Sequence, residues 1–129
     1  MSNPPVISII DDDESVRAAT HNLVRSLGYA VHTYASAEEF LRSPHRHDTS
    51  CVITDVRMPA MSGLELQDHL LTSGQNFPFI FVTAFSVESD RARALKAGAI
   101  CFLIKPFDGD ALIKCLEVAL AQNGAAADK

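Results

Sequence analysis

Residues that could carry chemistry stand directly after four short apolar runs of the sequence. In chain order they are Asp11-Asp12-Asp13-Glu14, Asp55, Thr83 and Lys105. Converging carboxylates repel each other unless a cation neutralises them, and hard oxygen ligands suit Mg²⁺. An ammonium and a hydroxyl beside such a cation can hold a dianionic phosphoryl group and stabilise its transfer. The pattern therefore predicts a magnesium-dependent phosphoryl site.

Asp55 is the candidate nucleophile of this set. It stands alone between an apolar run and a loop that Pro59 and Gly63 shape, and a carboxylate can form a covalent acyl phosphate. Asp13 and Glu14 are interpreted as complements to the dipole of the next helix. A lone Asp after a strand is usually a cap or turn former. The joint placement of four such groups at strand ends favours a common site.

The elements that must position these groups alternate along the chain. Amphipathic helical patterns follow each apolar run, with a capping box at Ser36 and Glu39 and a cap at Asp108. Five such βα units predict a doubly wound parallel sheet with helices on both faces, because a closed barrel needs about 250 residues. Strand carboxyl ends then share one edge, where ligands bind. The five predicted strands are Val6–Ile10, Ala30–Tyr34, Cys51–Thr54, Phe79–Val82 and Ala99–Ile104.

Length and composition favour one soluble globular unit. The 129 residues, 47% of them hydrophobic, fit a single domain over residues 5–122, and residues 123–129 are predicted to be a tail or linker. A net charge of −5 argues against direct contact with nucleic acid or an anionic membrane. No apolar stretch approaches the roughly 18 residues of a membrane span.

The cysteines are expected to be small apolar fillers. Cys51, Cys101 and Cys115 are scattered and show no C-x-x-C spacing, so neither a disulfide nor a zinc site is predicted. A reducing cytoplasm is the expected compartment.

Four sequence motifs together resemble the receiver domain of two-component response regulators. They are Ile9-Ile10-Asp11-Asp12-Asp13, the run from Thr54 to Gly63, Val82-Thr83-Ala84, and Gly98-Ala99 followed by Phe102-Leu103-Ile104-Lys105-Pro106-Phe107. The resemblance covers Val6–Gln122 and implies a flavodoxin-like (βα)5 three-layer sandwich with strand order 2-1-3-4-5. It also implies a signalling phosphoacceptor rather than an enzyme acting on a separate substrate.

The resemblance assigns a role to each site residue. Asp55 would accept a phosphoryl group from a sensor histidine kinase, a phosphotransfer protein or acetyl phosphate. Asp12, Asp55 and the backbone carbonyl of Arg57 would ligate Mg²⁺ or Mn²⁺, with Asp11 acting mainly through a coordinated water. Thr83 and Lys105 would bind the phosphoryl group.

The resemblance also implies a switch. The rotamer of Phe102 would follow Thr83 and reshape the surface of the fourth helix, fifth strand and fifth helix, through which phosphorylated members of the family often form homodimers. The Lys105–Pro106 bond is expected to be cis. Arg57 and Phe85 occupy positions that influence the lifetime of the phosphoryl group in the family. The sequence around Asp55 looks most like that of receivers that precede a helix-turn-helix domain. DNA binding and control of transcription would therefore require an output domain outside this sequence.

Three alternative functions compete with this interpretation. A magnesium phosphatase resembling haloacid dehalogenases would carry a D-x-D-x-T motif after the first strand, which this sequence lacks. A flavin or nucleotide module would need a Gly-rich loop where four acids stand, and those acids would repel a phosphate. An interaction module independent of phosphorylation would not need the full set of site residues.

Overall fold

Strands and helices alternate along the chain in this computed structural model, which describes residues 4–85 and 87–128, with side chains described through residue 121. The strands in that part are β1 (Val6–Ile10), β2 (Ala30–Tyr34), β3 (Cys51–Asp55), β4 (Phe79–Thr83) and β5 (Cys101–Ile104). The helices are α1 (Glu14–Ser26), α2 (Ala37–Arg42), α3 (Gly63–Thr72), α4 (Glu88–Lys96) and α5 (Gly109–Asp128), with a 3₁₀ turn at Arg46–Asp48. The predicted order of five βα units is confirmed.

The strands form one parallel sheet in the order β2-β1-β3-β4-β5, which confirms the expected topology. The register sets Ile10 opposite Thr54, and Asp55 opposite Val82. Thr83 lies opposite Ile104. The carboxyl ends of β1, β3, β4 and β5 therefore meet at one edge, where the residues that follow them can converge.

Two apolar cores hold the helices against the two faces of the sheet. One contains Phe40 of α2, Leu66 of α3 and Phe81 of β4. The other contains Val24 of α1 and Leu112 of α5. All residues of β3 and β4 are buried, which explains why the residues before their polar carboxyl ends are apolar, because both faces of a central parallel strand are covered. The three-layer sandwich is thereby confirmed.

Side-chain caps fix where the helices begin. The Asp13 carboxylate accepts hydrogen bonds from the backbone N–H groups of Ser15 and Val16, so the acid nearest α1 serves the helix rather than a metal. Ser36 caps α2, and Asp108 accepts from the N–H of Asp110. Ser62 and Glu65 form a full capping box at the start of α3.

The last helix extends into the predicted tail. The sequence predicted a domain over residues 5–122 and a tail or linker over residues 123–129, and α5 continues to Asp128. Alanines there favour continued helix, which the interpretation as a linker underestimated. Within residues 4–85 and 87–128, no helix combines the length and the apolar character that crossing a bilayer requires.

The expectation for two of the three cysteines is wrong. Cys101 of β5 and Cys115 of α5 are joined by a disulfide, with their Cα atoms 6.1 Å apart. The packing of α5 against one face of the sheet brings them together, and no sequence spacing signals such a contact. Cys51 is free and buried, and burial raises the pKa of its thiol to about 12, so it remains an inert apolar filler.

Candidate functional site

Lys105 bridges the two buried carboxylates at the edge of the sheet. Its Nζ donates to Oδ2 of Asp11 and to Oδ2 of Asp55, each at 3.0 Å. Lys105 is placed there by the end of β5, and its backbone N–H donates to the carbonyl oxygen of Thr83 at 2.7 Å. Asp11 and Asp55 follow or end neighbouring strands, β1 and β3, so parallel pairing brings them together.

Backbone N–H groups hold the other oxygen of each carboxylate. The N–H of Asp13 donates to Oδ1 of Asp11 at 2.9 Å, and the N–H of Arg57 donates to Oδ1 of Asp55 at 3.2 Å. Each carboxylate is thus anchored at both oxygens, and its orientation is fixed. The side chain of Asp55 is 10% exposed, which leaves it within reach of a ligand at the surface.

Burial and neighbouring groups together shift the pKa values of this cluster. Burial raises the pKa of Asp11, although the hydrogen bonds from Asp13 and Lys105 oppose the increase, and the charge of Asp55 adds to it. For Lys105, burial acts to lower the pKa, but the hydrogen bonds and charges of both aspartates outweigh burial and raise it. The lysine therefore stays an ammonium, the form that attracts an anion.

The third carboxylate, that of Asp12, completes a group that can hold a metal. One carboxylate oxygen from each of Asp11, Asp12 and Asp55 lies within 4.8 Å of the others. Asp12 is exposed, whereas Asp11 and Asp55 are buried. Three carboxylates and one ammonium leave a charge of −2, and oxygen donors of this kind match Mg²⁺ or Mn²⁺. The residues present fit a hard divalent cation.

Thr83 ends β4 at the same edge of the sheet, whereas Phe102 lies within β5, opposite Phe81. The Thr83 hydroxyl oxygen accepts from the N–H of Phe85 at 3.2 Å, which leaves its hydrogen available to donate. Phe102 is half-buried, with its ring centroid 6.3 Å from that of Phe81. Thr83 therefore connects the site edge to the segment before α4, and Phe102 packs against β4.

The loop between β3 and α3 carries the other predicted positions. Pro59 is exposed, and Ala60 has a φ of 65°, a left-handed conformation that costs a residue with a Cβ. Gly63 lies against the backbone of Asp55, where a Cβ would overlap the carbonyl oxygen of Asp55. Pro106, directly after Lys105, follows a cis peptide bond, as the resemblance implies.

Two residues near the site were missed at the sequence level. Arg17 of α1 donates from Nη1 to the backbone oxygen of Asp11 at 2.7 Å, which fixes the acidic loop. Asp90 of α4 pairs with Arg57 at 2.7 Å between Nη2 and Oδ2. The pattern of α4 explains Asp90 as an acid of the first helical turn, and nothing links it to a loop 33 residues away.

Replacing Lys105 with Met is expected to lower the free energy of unfolding by on the order of 2 kcal/mol without a divalent cation, because Asp11 and Asp55 lose their shared partner. Mg²⁺ should then stabilise the variant more than the wild-type protein, since the cluster is more negative by one charge. Urea unfolding followed by circular dichroism, in EDTA and in Mg²⁺, measures both effects. Lys114→Met, at an exposed position of α5, is the control. Equal stabilities of wild type and Lys105→Met in EDTA would contradict this account of the cluster.

Known proteins share both the sequence and the fold. A family model described as the response regulator receiver domain matches residues 7–117. Response regulator protein TodT of Pseudomonas putida is 42% identical over 115 residues, which cover 89% of this chain and 51% of TodT. Transcriptional regulatory protein FixJ of Azorhizobium caulinodans is 38% identical over 117 residues, covering 91% of this chain and 56% of FixJ.

A solved structure gives the same result in three dimensions. The response regulator StyR superposes with a TM-score of 0.89 at 40% identity, covering 97% of this chain and 63% of StyR. The chain spans about half the length of the two curated relatives named above. Since the family model matches most of the chain and the acidic edge lies where the motifs predict it, this chain belongs to the response regulator receiver domain family.

Proposed function

We propose that Asp55 accepts a phosphoryl group from the phosphohistidine of a sensor histidine kinase or phosphotransfer protein, or from acetyl phosphate. One observation carries the proposal: the Asp55 carboxylate is anchored at both oxygens beside the Lys105 ammonium. A fixed carboxylate next to a cation is a nucleophile in a field that attracts a phosphoryl anion.

Asp12, Asp55 and the backbone carbonyl of Arg57 would hold Mg²⁺ or Mn²⁺, with Asp11 acting through a coordinated water. When bound, the cation supplies positive charge that cancels the −2 of the cluster and lets a dianionic group approach. The grouping of the three carboxylates supports this assignment.

In the transfer step, an oxygen of Asp55 attacks phosphorus while the bond to the donor breaks. With phosphohistidine, the P–N bond electrons return to the imidazole, and with acetyl phosphate the P–O bond electrons leave with acetate. Lys105 keeps its proton and pairs with the phosphoryl oxygens, and the Thr83 hydroxyl donates to one of them. The chain consumes one phosphoryl group per acyl phosphate formed, which is the behaviour of a signalling phosphoacceptor rather than of an enzyme acting on a separate substrate.

The surroundings of the site support a protein phosphodonor. An apolar groove of about 580 Å³ lies beside Lys105, between Val16 and Leu23 of α1 and Phe107 of the loop before α5. A protein that brings phosphohistidine to Asp55 would cover this groove. We place the domain in the cytoplasm, where ATP-derived phosphodonors are available; the Cys101–Cys115 disulfide is uncommon in that compartment.

The surface next to the site indicates how phosphorylation would control an output. Thr83 and Phe102 lead from the phosphoryl position to the α4-β5-α5 surface, so a switch there would control a homodimer or an attached domain. Because FixJ is named a transcriptional regulator and this chain spans about half of it, we propose transcription as the output. DNA contact belongs to that output domain, and residues 123–129 would connect to it.

The test locates the acyl phosphate. The chain is incubated with acetyl phosphate and Mg²⁺, reduced with borohydride, which converts aspartyl phosphate to homoserine, and sequenced by mass spectrometry. We expect homoserine at position 55 with Mg²⁺ and none with EDTA. Modification at another residue, or none with Mg²⁺, would overturn the proposal.

A further inference from the structure

One ion pair connects the phosphoacceptor loop to α4. The Arg57 guanidinium donates from Nη2 to Oδ2 of Asp90 at 2.7 Å, and the Asp90 side chain is 19% exposed. The backbone N–H of the same arginine donates to Oδ1 of Asp55 at 3.2 Å. Arg57 therefore contacts the proposed phosphoacceptor with its backbone and α4 with its side chain.

Apolar packing holds α4 only weakly. Of its residues, all of which the structure describes, Ala94 alone is buried. Its N-cap, Val87, makes no side-chain capping hydrogen bond. Polar links therefore contribute much of what seats this helix. They include the Arg57–Asp90 pair and two hydrogen bonds between α3 and α4. Gln67 Nε2 donates to the Ala94 carbonyl oxygen, and the Arg93 guanidinium donates to the Asp68 carboxylate.

We infer that Asp90 is a positioning residue that holds the Arg57 side chain on α4 in the unphosphorylated protein and loses it to the phosphoryl group on Asp55. The inference rests on the proposed function of Asp55. A phosphoryl group carries close to two negative charges and three acceptor oxygens, whereas Asp90 offers a single carboxylate. The Arg57 backbone lies at the edge of the site, and its flexible side chain can pair with only one of these two anions at a time.

Because Asp90 and the phosphoryl group on Asp55 compete for the Arg57 guanidinium, phosphorylation and the position of α4 affect each other. Engagement of the phosphoryl group by Arg57 releases the first turn of α4, and weakening the Asp90 contact favours the phosphorylated form by the same factor. The Asp68–Arg93 pair also joins α4 to a neighbouring element, at 2.5 Å, but it makes no contact with Asp55. The Asp68–Arg93 pair is therefore not coupled to phosphorylation of Asp55, and it can be compared with the Arg57–Asp90 pair in the same helix.

The experiment measures the affinity of the chain for beryllofluoride, a phosphoryl mimic, in Mg²⁺. Asp90→Asn is expected to bind it about fivefold more tightly than the wild type, because Arg57 is already free. In the unliganded variant, the α4 amide signals in an NMR spectrum should shift toward their beryllofluoride-bound positions. In an Arg57→Gln background, Asp90→Asn should change the affinity no further.

Two matched variants separate this effect from charge and from helix stability. Glu88→Gln removes one negative charge from the same first turn of α4, and its carboxylate pairs with Arg91 instead. Asp68→Asn breaks the ion pair that joins α4 to α3. Wild-type affinity in both variants supports the inference.

Two results would overturn the inference: equal affinity in Asp90→Asn and wild type, or an equal gain in Glu88→Gln or Asp68→Asn. If the wild-type chain itself fails to bind beryllofluoride in Mg²⁺, the proposed function of Asp55 falls together with this inference. A normal wild type with an unresponsive Asp90→Asn overturns the inference alone.

Discussion

Asp55→Asn is expected to reduce phosphoryl incorporation from acetyl phosphate to background while leaving the fold intact. The amide has the shape of the carboxylate but no anionic oxygen to attack phosphorus. It also removes one negative charge from the cluster that would hold Mg²⁺, so the affinity for the metal should fall as well. Labelling with acetyl phosphate that carries radioactive phosphorus, in Mg²⁺, measures incorporation. Loss of the label on treatment with hydroxylamine, which cleaves acyl phosphates, identifies the product as an acyl phosphate.

Stability should change by no more than about 1 kcal/mol, because Lys105 keeps its contact with Asp11. A far-ultraviolet circular dichroism spectrum and a urea unfolding curve establish that the variant is folded. Asp110→Asn, at an exposed position of α5, is the matched control and should label like the wild type. Wild-type labelling of the Asp55→Asn chain would assign the nucleophile to another residue.

The parallel sheet was predictable because its signal is local. Unbroken apolar runs such as Phe79–Val82 occur where both faces of a strand are covered, and β3 and β4 are indeed buried along their length. Once the strands are parallel, residues that follow them share an edge. The contacts of Lys105 with Asp11 and Asp55, 94 and 50 residues away along the chain, follow from that geometry.

Contacts that depend on how helices pack were not predictable in the same way. The Cys101–Cys115 disulfide and the Arg57–Asp90 pair each require the position of a helix relative to a strand or loop. Periodicity gives the apolar face of a helix but not its exact rotation or translation on the sheet. A side chain of α4 or α5 therefore has no identifiable partner until the layers are assembled.

Gly63→Ala is expected to lower the free energy of unfolding by about 3 kcal/mol, near the upper end of the cost of inserting a methyl group into a packed interior. The added Cβ would overlap the carbonyl oxygen of Asp55 and come within 3.2 Å of Cε1 of Phe81. The carbonyl is backbone at the end of β3, so it cannot turn aside as a flexible side chain would. The Gly63 N–H also donates to the Val56 carbonyl oxygen at 2.9 Å, which holds the start of α3 against the strand.

Relief of this overlap must separate α3 from β3 or displace Asp55, so phosphoryl incorporation should fall even at temperatures where the variant is folded. Urea unfolding gives the stability, and labelling well below the transition gives the effect on the site. Gly109→Ala is the control, because a Cβ there meets only Leu23 Cδ2 at 3.9 Å, an ordinary contact. That change should be neutral or stabilise by up to about 1 kcal/mol, since alanine restricts the unfolded chain. A Gly63→Ala chain as stable and as readily labelled as the wild type would show that the start of α3 does not constrain Asp55.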